Sequence, residues 1–107
     1  MLSDMRAKGS DQAEMLEKRL YANGQQAWDL RDNRLTYFFT DGTVKAEGPY
    51  RDDQMDGEWR FYRQTGQLWV IGNFKQGQKH GSWTRWDKAD QVEYQETFAD
   101  GKLVRRK

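Results

Sequence analysis

The fold of this chain is decided by residues 57–81, which read GEWRFYRQTGQLWVIGNFKQGQKHG. A short aromatic run from Glu58 to Tyr62 is followed by a turn sequence that ends at Gly66. In the next run, from Gln67 to Phe74, apolar or small residues occupy every second position, as is typical of a β-strand. A glycine in the turn suits the positive φ that a tight hairpin loop requires. The stretch therefore predicts a β-hairpin.

The same pattern recurs at a spacing of 24 residues on either side of this stretch. The matching positions are Leu35, Trp59 and Trp83; Phe38, Tyr62 and Trp86; Gly42, Gly66 and Asp90; Val44, Leu68 and Val92; Ala46, Val70 and Tyr94; Gly48, Gly72 and Glu96; Tyr50, Phe74 and Phe98; Gly57 and Gly81; and Gly77 and Gly101. Because these columns agree without an insertion, we interpret 35–58, 59–82 and 83–107 as three copies of one unit. One hairpin cannot bury its own apolar face, so we expect the copies to stack into an elongated all-β sheet.

The spacing of glycine and aromatic residues in the second copy resembles the MORN repeat, and most closely its bacterial variant. The positions that carry the resemblance are Gly57, Trp59, Tyr62, Gly66, Leu68, Gly72, Phe74, Gly77, His80 and Gly81. The resemblance implies stacked hairpins that bind proteins or, in some members, lipid, and many short bacterial members are antitoxin components of toxin–antitoxin pairs. The chain departs from the pattern in its third copy, where Asp90 and Glu96 replace glycines. Polar replacements suit a terminal repeat that faces water.

The segment 1–34 precedes the clear copies, and we interpret it as a tail followed by a cap. A short helix is predicted over residues 11–22, with Asp11 as its N-cap and Asn23-Gly24 as its stop signal. Such a helix would cover the open edge of the first hairpin. A degenerate half repeat with a strand is the rival interpretation. Its positions in register are Leu20 with Val44, Ala22 with Ala46, and Gly24 with Gly48.

The composition restricts the classes of partner. Five Trp, five Tyr and five Phe with ten Gly and one Pro among 107 residues favour strands and tight turns. The formal charge of +1 disfavours nucleic acid and makes anionic membranes a weak second choice. There is no cysteine, no run of eighteen apolar residues and no apolar stretch among the first ten residues. We therefore expect a cytoplasmic protein.

Catalytic and metal sites find little support in the sequence. His80 is the only histidine, and its position in a glycine-flanked turn favours a structural role over acid–base catalysis. Asp52, Asp53 and Asp56 are close in sequence, but a solvated acidic turn explains them better than a weak calcium site. No glycine-rich phosphate loop is present. We expect no enzyme activity, no cofactor and no small-molecule substrate.

A few positions break their columns and are candidates for partner binding. Trp69 stands in the column of Lys45 and Glu93, and Ile71 in the column of Glu47 and Gln95. If these columns share a solvated face, the pair is either covered by the rest of the chain or forms an exposed anchor for a partner.

Two further partner candidates follow from the aromatic positions. Phe39 is a similar break, because its column continues with Arg63 and Asp87. The aromatic face around Trp59 and Phe61 is an alternative surface.

The sequence therefore predicts a non-catalytic protein–protein interaction module. Its partner would be a toxin or another subunit of a bacterial complex, and its role would be that of a neutraliser or a scaffold. The alternative is a peripheral module that binds phospholipid membranes. The absence of a basic amphipathic helix from the sequence argues against it.

Overall fold

The computed structural model describes residues 19–106, which form one antiparallel sheet of nine strands. The strands are β1 Trp28–Arg31, β2 Arg34–Phe38, β3 Val44–Arg51, β4 Gln54–Met55, β5 Gly57–Tyr62, β6 Leu68–Lys75, β7 Gln78–Trp86, β8 Val92–Ala99 and β9 Lys102–Arg106. Along the sheet the order follows the sequence from β1 to β9, with the short β4 paired to β3 beside this path. The all-β prediction of a single elongated sheet is confirmed.

The 24-residue spacing appears in the structure as a recurring turn. The Arg63 N–H donates to the Gln67 carbonyl at 2.8 Å, and the Gly66 N–H donates back to the Arg63 carbonyl at 2.8 Å. The same two bonds recur in the turn from Phe39 to Thr43 and in the turn from Asp87 to Gln91. Each of these three hairpins also has a register shift one residue pair before its turn.

A fourth turn of this kind lies ahead of the three predicted copies. The Tyr21 N–H donates to the Gln25 carbonyl at 2.8 Å, and the Gly24 N–H donates to the Tyr21 carbonyl at 2.9 Å. Tyr21 stands 18 residues before its equivalent Phe39, so a search at a spacing of 24 misses it. The difference lies in β1 and β2, which have four and five residues and pair in unbroken register. The later strands β6 and β7 have eight and nine residues, and their register shifts.

The predicted N-terminal helix is wrong for the residues that can be compared. Leu20 forms a β-bridge with Gln26 and a turn follows it, so residues 19–22 are not helical. The rest of the helix prediction, 11–18, lies outside the described residues. The rival half repeat predicts a strand here, whereas the described residues have a single β-bridge at Leu20 followed by a turn. The predicted register is also wrong, because Gly24 is equivalent to Gly42 and not to Gly48.

One face of the sheet carries the apolar side chains in rows that cross the strands. The first row is Trp28, Tyr37, Ala46, Phe61, Val70, Arg85 and Tyr94. In the next row Leu35 and Trp59 are 0% exposed. Aromatic rings make contact along the sheet from Tyr37 through Trp59 and Phe61 to Trp83. We call this the aromatic face, and the other face is mainly polar.

Two glycines receive the tryptophans of this face. A Cβ on Gly48 would lie 2.4 Å from the Trp59 ring, and a Cβ on Gly72 would lie 2.3 Å from the Trp83 ring. Each indole also donates its Nε1–H to a backbone carbonyl of the neighbouring strand. Trp59 donates to Pro49 at 2.7 Å, and Trp83 donates to Asn73 at 2.9 Å. Glycine therefore recurs at this position of the repeat because the indole ring packs against the backbone there and leaves no space for a Cβ atom.

The third copy replaces this glycine–tryptophan contact by an ion pair. Glu96 occupies the glycine position and is 8% exposed, and Arg106 lies directly opposite it on β9. The Arg106 Nε–H donates to the Glu96 carboxylate at 2.7 Å, and its Nη2 also contacts that carboxylate. Glu96 is thus a buried carboxylate paired with a largely exposed guanidinium, and not the solvated terminal residue that the sequence predicts. Asp90 takes the other glycine position with φ 62°, as its turn requires.

Candidate partner-binding surface

Trp69 is the extra residue of a β-bulge between β5 and β6. Phe61 pairs with Val70 and Tyr62 pairs with Leu68, so Trp69 has no residue directly opposite it on β5. An inserted residue breaks the alternation of side chains between the two faces. The Trp69 side chain therefore reaches the aromatic face, beside Arg85, which pairs with Val70 on the next strand.

Two guanidinium groups lie over the Trp69 ring. The Arg63 Cζ lies 5.4 Å from the ring centroid and the Arg85 Cζ lies 5.7 Å from it, which is within the range of cation–π attraction. The Arg63 Nη2–H donates to the Trp86 carbonyl at 3.1 Å. The Arg85 Nε–H donates to Glu93 at 2.5 Å, and this bond raises the pKa of Arg85 above its ordinary value. Both arginines are thus held in place beside the indole.

The surroundings of this stack form an open depression of about 540 Å³. Its lining residues are Arg63, Trp69, Arg85, Asp87, Lys88, Ala89 and Glu93. Trp69 itself is half-buried, so part of its side chain remains accessible. Both carboxylates and cations line the depression around it. We call this set of residues the Trp69 surface.

Ile71 does not belong to the Trp69 surface, in contrast to the sequence interpretation. It pairs with Arg60 on one side and with Thr84 on the other, in a row that crosses the polar face. The bulge at Trp69 is the physical reason, because it turns the two side chains to opposite faces although they are two residues apart. The predicted patch of Trp69 with Ile71 is therefore wrong as a contiguous surface.

The other sequence candidates occupy three different environments. Trp59 is fully buried between its neighbours, so it contributes to the core and not to an accessible surface. Phe61 is half-buried on the aromatic face and stacks on Trp83 with ring centroids 6.1 Å apart. Phe39 is also half-buried, and the Lys45 Nζ lies 5.9 Å from its ring.

Sequence reasoning missed the pairing of an aromatic residue with a cation across the turn of the first copy and of the second copy. The first copy has its aromatic before the turn, at Phe39, and its cation after it, at Lys45. The second copy exchanges the two types, with Arg63 before the turn and Trp69 after it. The exchange appears in the sequence only when the two columns are compared with each other.

The remaining polar candidates have structural contacts. The Asp100 N–H donates to His80 Nδ1 at 3.3 Å, so this histidine links β7 to the turn between β8 and β9. Asp52 and Asp53 have positive φ values in the turn after β3, and Asp56 accepts a bond from the Gln76 N–H at 3.3 Å. Within residues 19–106 no group of three or more His, Cys, Asp or Glu side chains is arranged to hold a metal ion.

The pKa shifts in the described part of the chain all move away from neutral pH. Burial raises the pKa of Tyr37 to about 12 and also raises that of Tyr50. The hydrogen bond from its hydroxyl to Glu47 raises the pKa of Tyr62. Hydrogen bonds from Thr43 lower the pKa of Asp41. None of these shifts produces a group that exchanges protons near pH 7, as a general acid or base would.

Tyr37→Phe should leave stability at pH 7 unchanged or raise it by up to about 1 kcal/mol, because no described residue bonds to this buried hydroxyl. The folded-state pKa, about 12, lies above the ordinary value of 10.0, so the neutral phenol stabilises the fold. That contribution is complete below pH 10 and is lost as the pH rises through 12. Urea denaturation at pH 7 and pH 11 should show a smaller alkaline loss for the variant than for the wild type.

Tyr62→Phe is the matched control for this prediction. Its hydroxyl donates to Glu47 Oε2 at 2.7 Å, so its removal should cost about 1 kcal/mol at pH 7. Equal costs for the two variants at pH 7 would contradict the assignment of an unpartnered hydroxyl at Tyr37.

Comparison with known families supports the repeat interpretation for one copy. Residues 55–76 match the family model described as the MORN repeat variant. The match begins in β4, includes β5, its turn and β6, and ends in the turn before β7. No curated protein and no solved structure matches the chain. MORN repeats are non-enzymatic modules that are generally linked to interaction with proteins or membrane lipids.

Proposed function

We propose that this chain is a non-catalytic protein-binding module and that its partner docks on the Trp69 surface. The observation that carries the proposal is the partly exposed indole of Trp69, which lies within cation–π distance of Arg63 and Arg85 in the lining of an open depression. Tryptophan and arginine are the residue types most enriched at the energetic centres of protein interfaces. Side chains that are already fixed also lose less conformational entropy when a partner binds.

The shape of the site favours a protein over a small planar ligand. Two guanidinium groups already lie over the Trp69 ring, so a flat ligand that stacked on this ring would compete with them. The depression combines the partly exposed indole with charged groups of both signs, among them Lys88 and Glu93. An apolar side chain surrounded by groups of both charges complements such a surface.

The proposal extends to the role of the module. We infer that it acts as a bacterial neutraliser, in the manner of an antitoxin, or as the scaffold subunit of a complex. This inference rests on the resemblance of its hairpins to short bacterial repeat proteins. An adjacent toxin-like reading frame in the genome would favour the neutraliser, and its absence would favour the scaffold.

Trp69→Lys should preserve the fold but weaken partner binding by roughly thirtyfold or more. The fold should persist because the first copy has Lys45 at the equivalent position. Loss of a central tryptophan anchor typically costs at least about 2 kcal/mol of binding free energy, which corresponds to that factor. The partner would be captured from the native cells with tagged protein and identified, and its Kd would then be measured for each variant beside a thermal melt.

Ile71→Lys is the matched control, because it introduces the same charge on the opposite face two residues away. It should leave binding within about threefold of the wild type. A Trp69→Lys protein that melts far earlier would show that Trp69 belongs to the core. A variant that melts normally and still binds would move the interface to the aromatic face around Phe61. Binding to phosphatidylserine vesicles that Trp69→Lys abolishes would favour the membrane alternative instead.

A further inference from the structure

The strand β9 forms one edge of the sheet. It pairs with β8 on one side, and no strand within residues 19–106 pairs with its other side. An edge strand presents a row of unpaired backbone N–H and C=O groups, onto which another extended chain can add by hydrogen bonding. The side chains of β9 determine which extended chain fits this edge.

The side chains of β9 combine an exposed apolar centre with cations on either side. Val104 is 64% exposed and Leu103 is 48% exposed. Arg106 is bound by the buried Glu96, as described above. Lys102 and Arg105 are exposed, and neither forms an ion pair with the described part of the chain. Two free cations therefore flank two exposed apolar residues on an open edge.

This charge pattern disfavours a second copy of the same strand. In an antiparallel pair of two β9 strands centred on Val104, Lys102 would face Arg106 and Leu103 would face Arg105. Like charges directly opposite each other on adjacent strands are destabilising. Cations on an edge strand are a known device against such self-association. An acidic strand meets no such penalty.

We propose that β9 receives an extended, acidic segment of a partner protein as a tenth strand of the sheet. Acidic residues of that segment face Lys102 and Arg105, and apolar residues face Leu103 and Val104. An antiparallel segment with the order acidic, apolar, apolar, acidic satisfies all four positions. The site is separate from the Trp69 surface, so it stands or falls independently of the function proposed above.

A synthetic peptide tests the proposal directly. Its central residues are Glu-Val-Val-Glu between serine and threonine flanks, and a control peptide has Lys-Val-Val-Lys at the centre. We expect the acidic peptide to bind and to slow hydrogen exchange of the β9 amides, while the basic peptide does not bind. The double variant Lys102→Glu, Arg105→Glu should bind the acidic peptide about tenfold more weakly and gain affinity for the basic peptide.

Three controls keep the test decisive. Trp69→Lys should leave peptide binding unchanged, which separates this site from the Trp69 surface. If the double variant fails to fold, the neutral variant Lys102→Gln, Arg105→Gln serves in its place, with a smaller loss of affinity. The proposal is overturned if the acidic peptide fails to bind at millimolar concentration, if it binds without added protection of β9 amides, or if the wild-type chain dimerises through β9 in sedimentation velocity.

Discussion

Gly72→Ala should cost about 3 kcal/mol or more of folding free energy, at or above the upper end of the range for overpacked cores. The new Cβ would lie 2.3 to 2.5 Å from three atoms of the Trp83 indole. The indole cannot move away easily, because its Nε1–H is bonded to Asn73 and its ring packs against Phe74 at 5.1 Å and Phe61 at 6.1 Å. Urea denaturation of the purified variant measures this cost.

Gly66→Ala separates this packing effect from the general cost of replacing a glycine. Gly66 has φ 93° and no atom within 4 Å of an added Cβ, so its replacement strains only the backbone, by about 1 to 2 kcal/mol. A double variant with Gly72→Ala and Trp83→Leu should cost less than the sum of the single variants, because the smaller side chain removes the overlap. Equal losses at Gly66 and Gly72 would contradict the proposed packing of the indole.

The repeats could be predicted because their constraints are local. A turn with positive φ requires glycine or a tolerant residue, and this requirement fixed Gly42, Gly66 and Asp90 in one column. An indole that lies on the backbone requires glycine beneath it, which fixed Gly48 and Gly72 in another. Both requirements act at the same point of each hairpin, so they repeat in the sequence with the period of the structure.

The first hairpin could not be found by the same argument. Its turn from Tyr21 to Gln25 has the same hydrogen bonds as the other turns. The strands β1 and β2, however, are shorter than β6 and β7 and pair without the register shift that lengthens the connection between those two. The spacing to the next turn is therefore 18 residues, so the positions of the first hairpin do not align with the later copies at a period of 24. A fixed period detects only copies whose connections have equal length.

The direction of the Trp69 side chain was also beyond a pattern of alternating residues. Alternation predicts that residues 69 and 71 share a face, whereas the bulge between Phe61 and Tyr62 inserts one residue and reverses that relation. The replacement of glycine by Glu96 was visible in the sequence, but its partner Arg106 was not, because the register between β8 and β9 shifts by one residue. Irregular pairing is thus where the sequence interpretation and the structure diverge.

Phe74→Ala should cost about 3 kcal/mol, whereas Phe98→Ala should cost at least about 1 kcal/mol less, although the two residues are equivalent in the repeat. Phe74 packs edge-on against Trp59 at 6.3 Å and against Trp83 at 5.1 Å, so its removal leaves a cavity between two copies. Among the aromatic rings of the described residues Phe98 packs against that of Trp83 alone, at 6.1 Å, because no further copy follows within residues 19–106. Phe74→Leu and Phe98→Leu, which keep most of the volume, should narrow the difference measured by urea denaturation. Equal losses for the two alanine variants would mean that stability does not depend on neighbours along the sheet, and the linear stack would then be the wrong description of how the copies support one another.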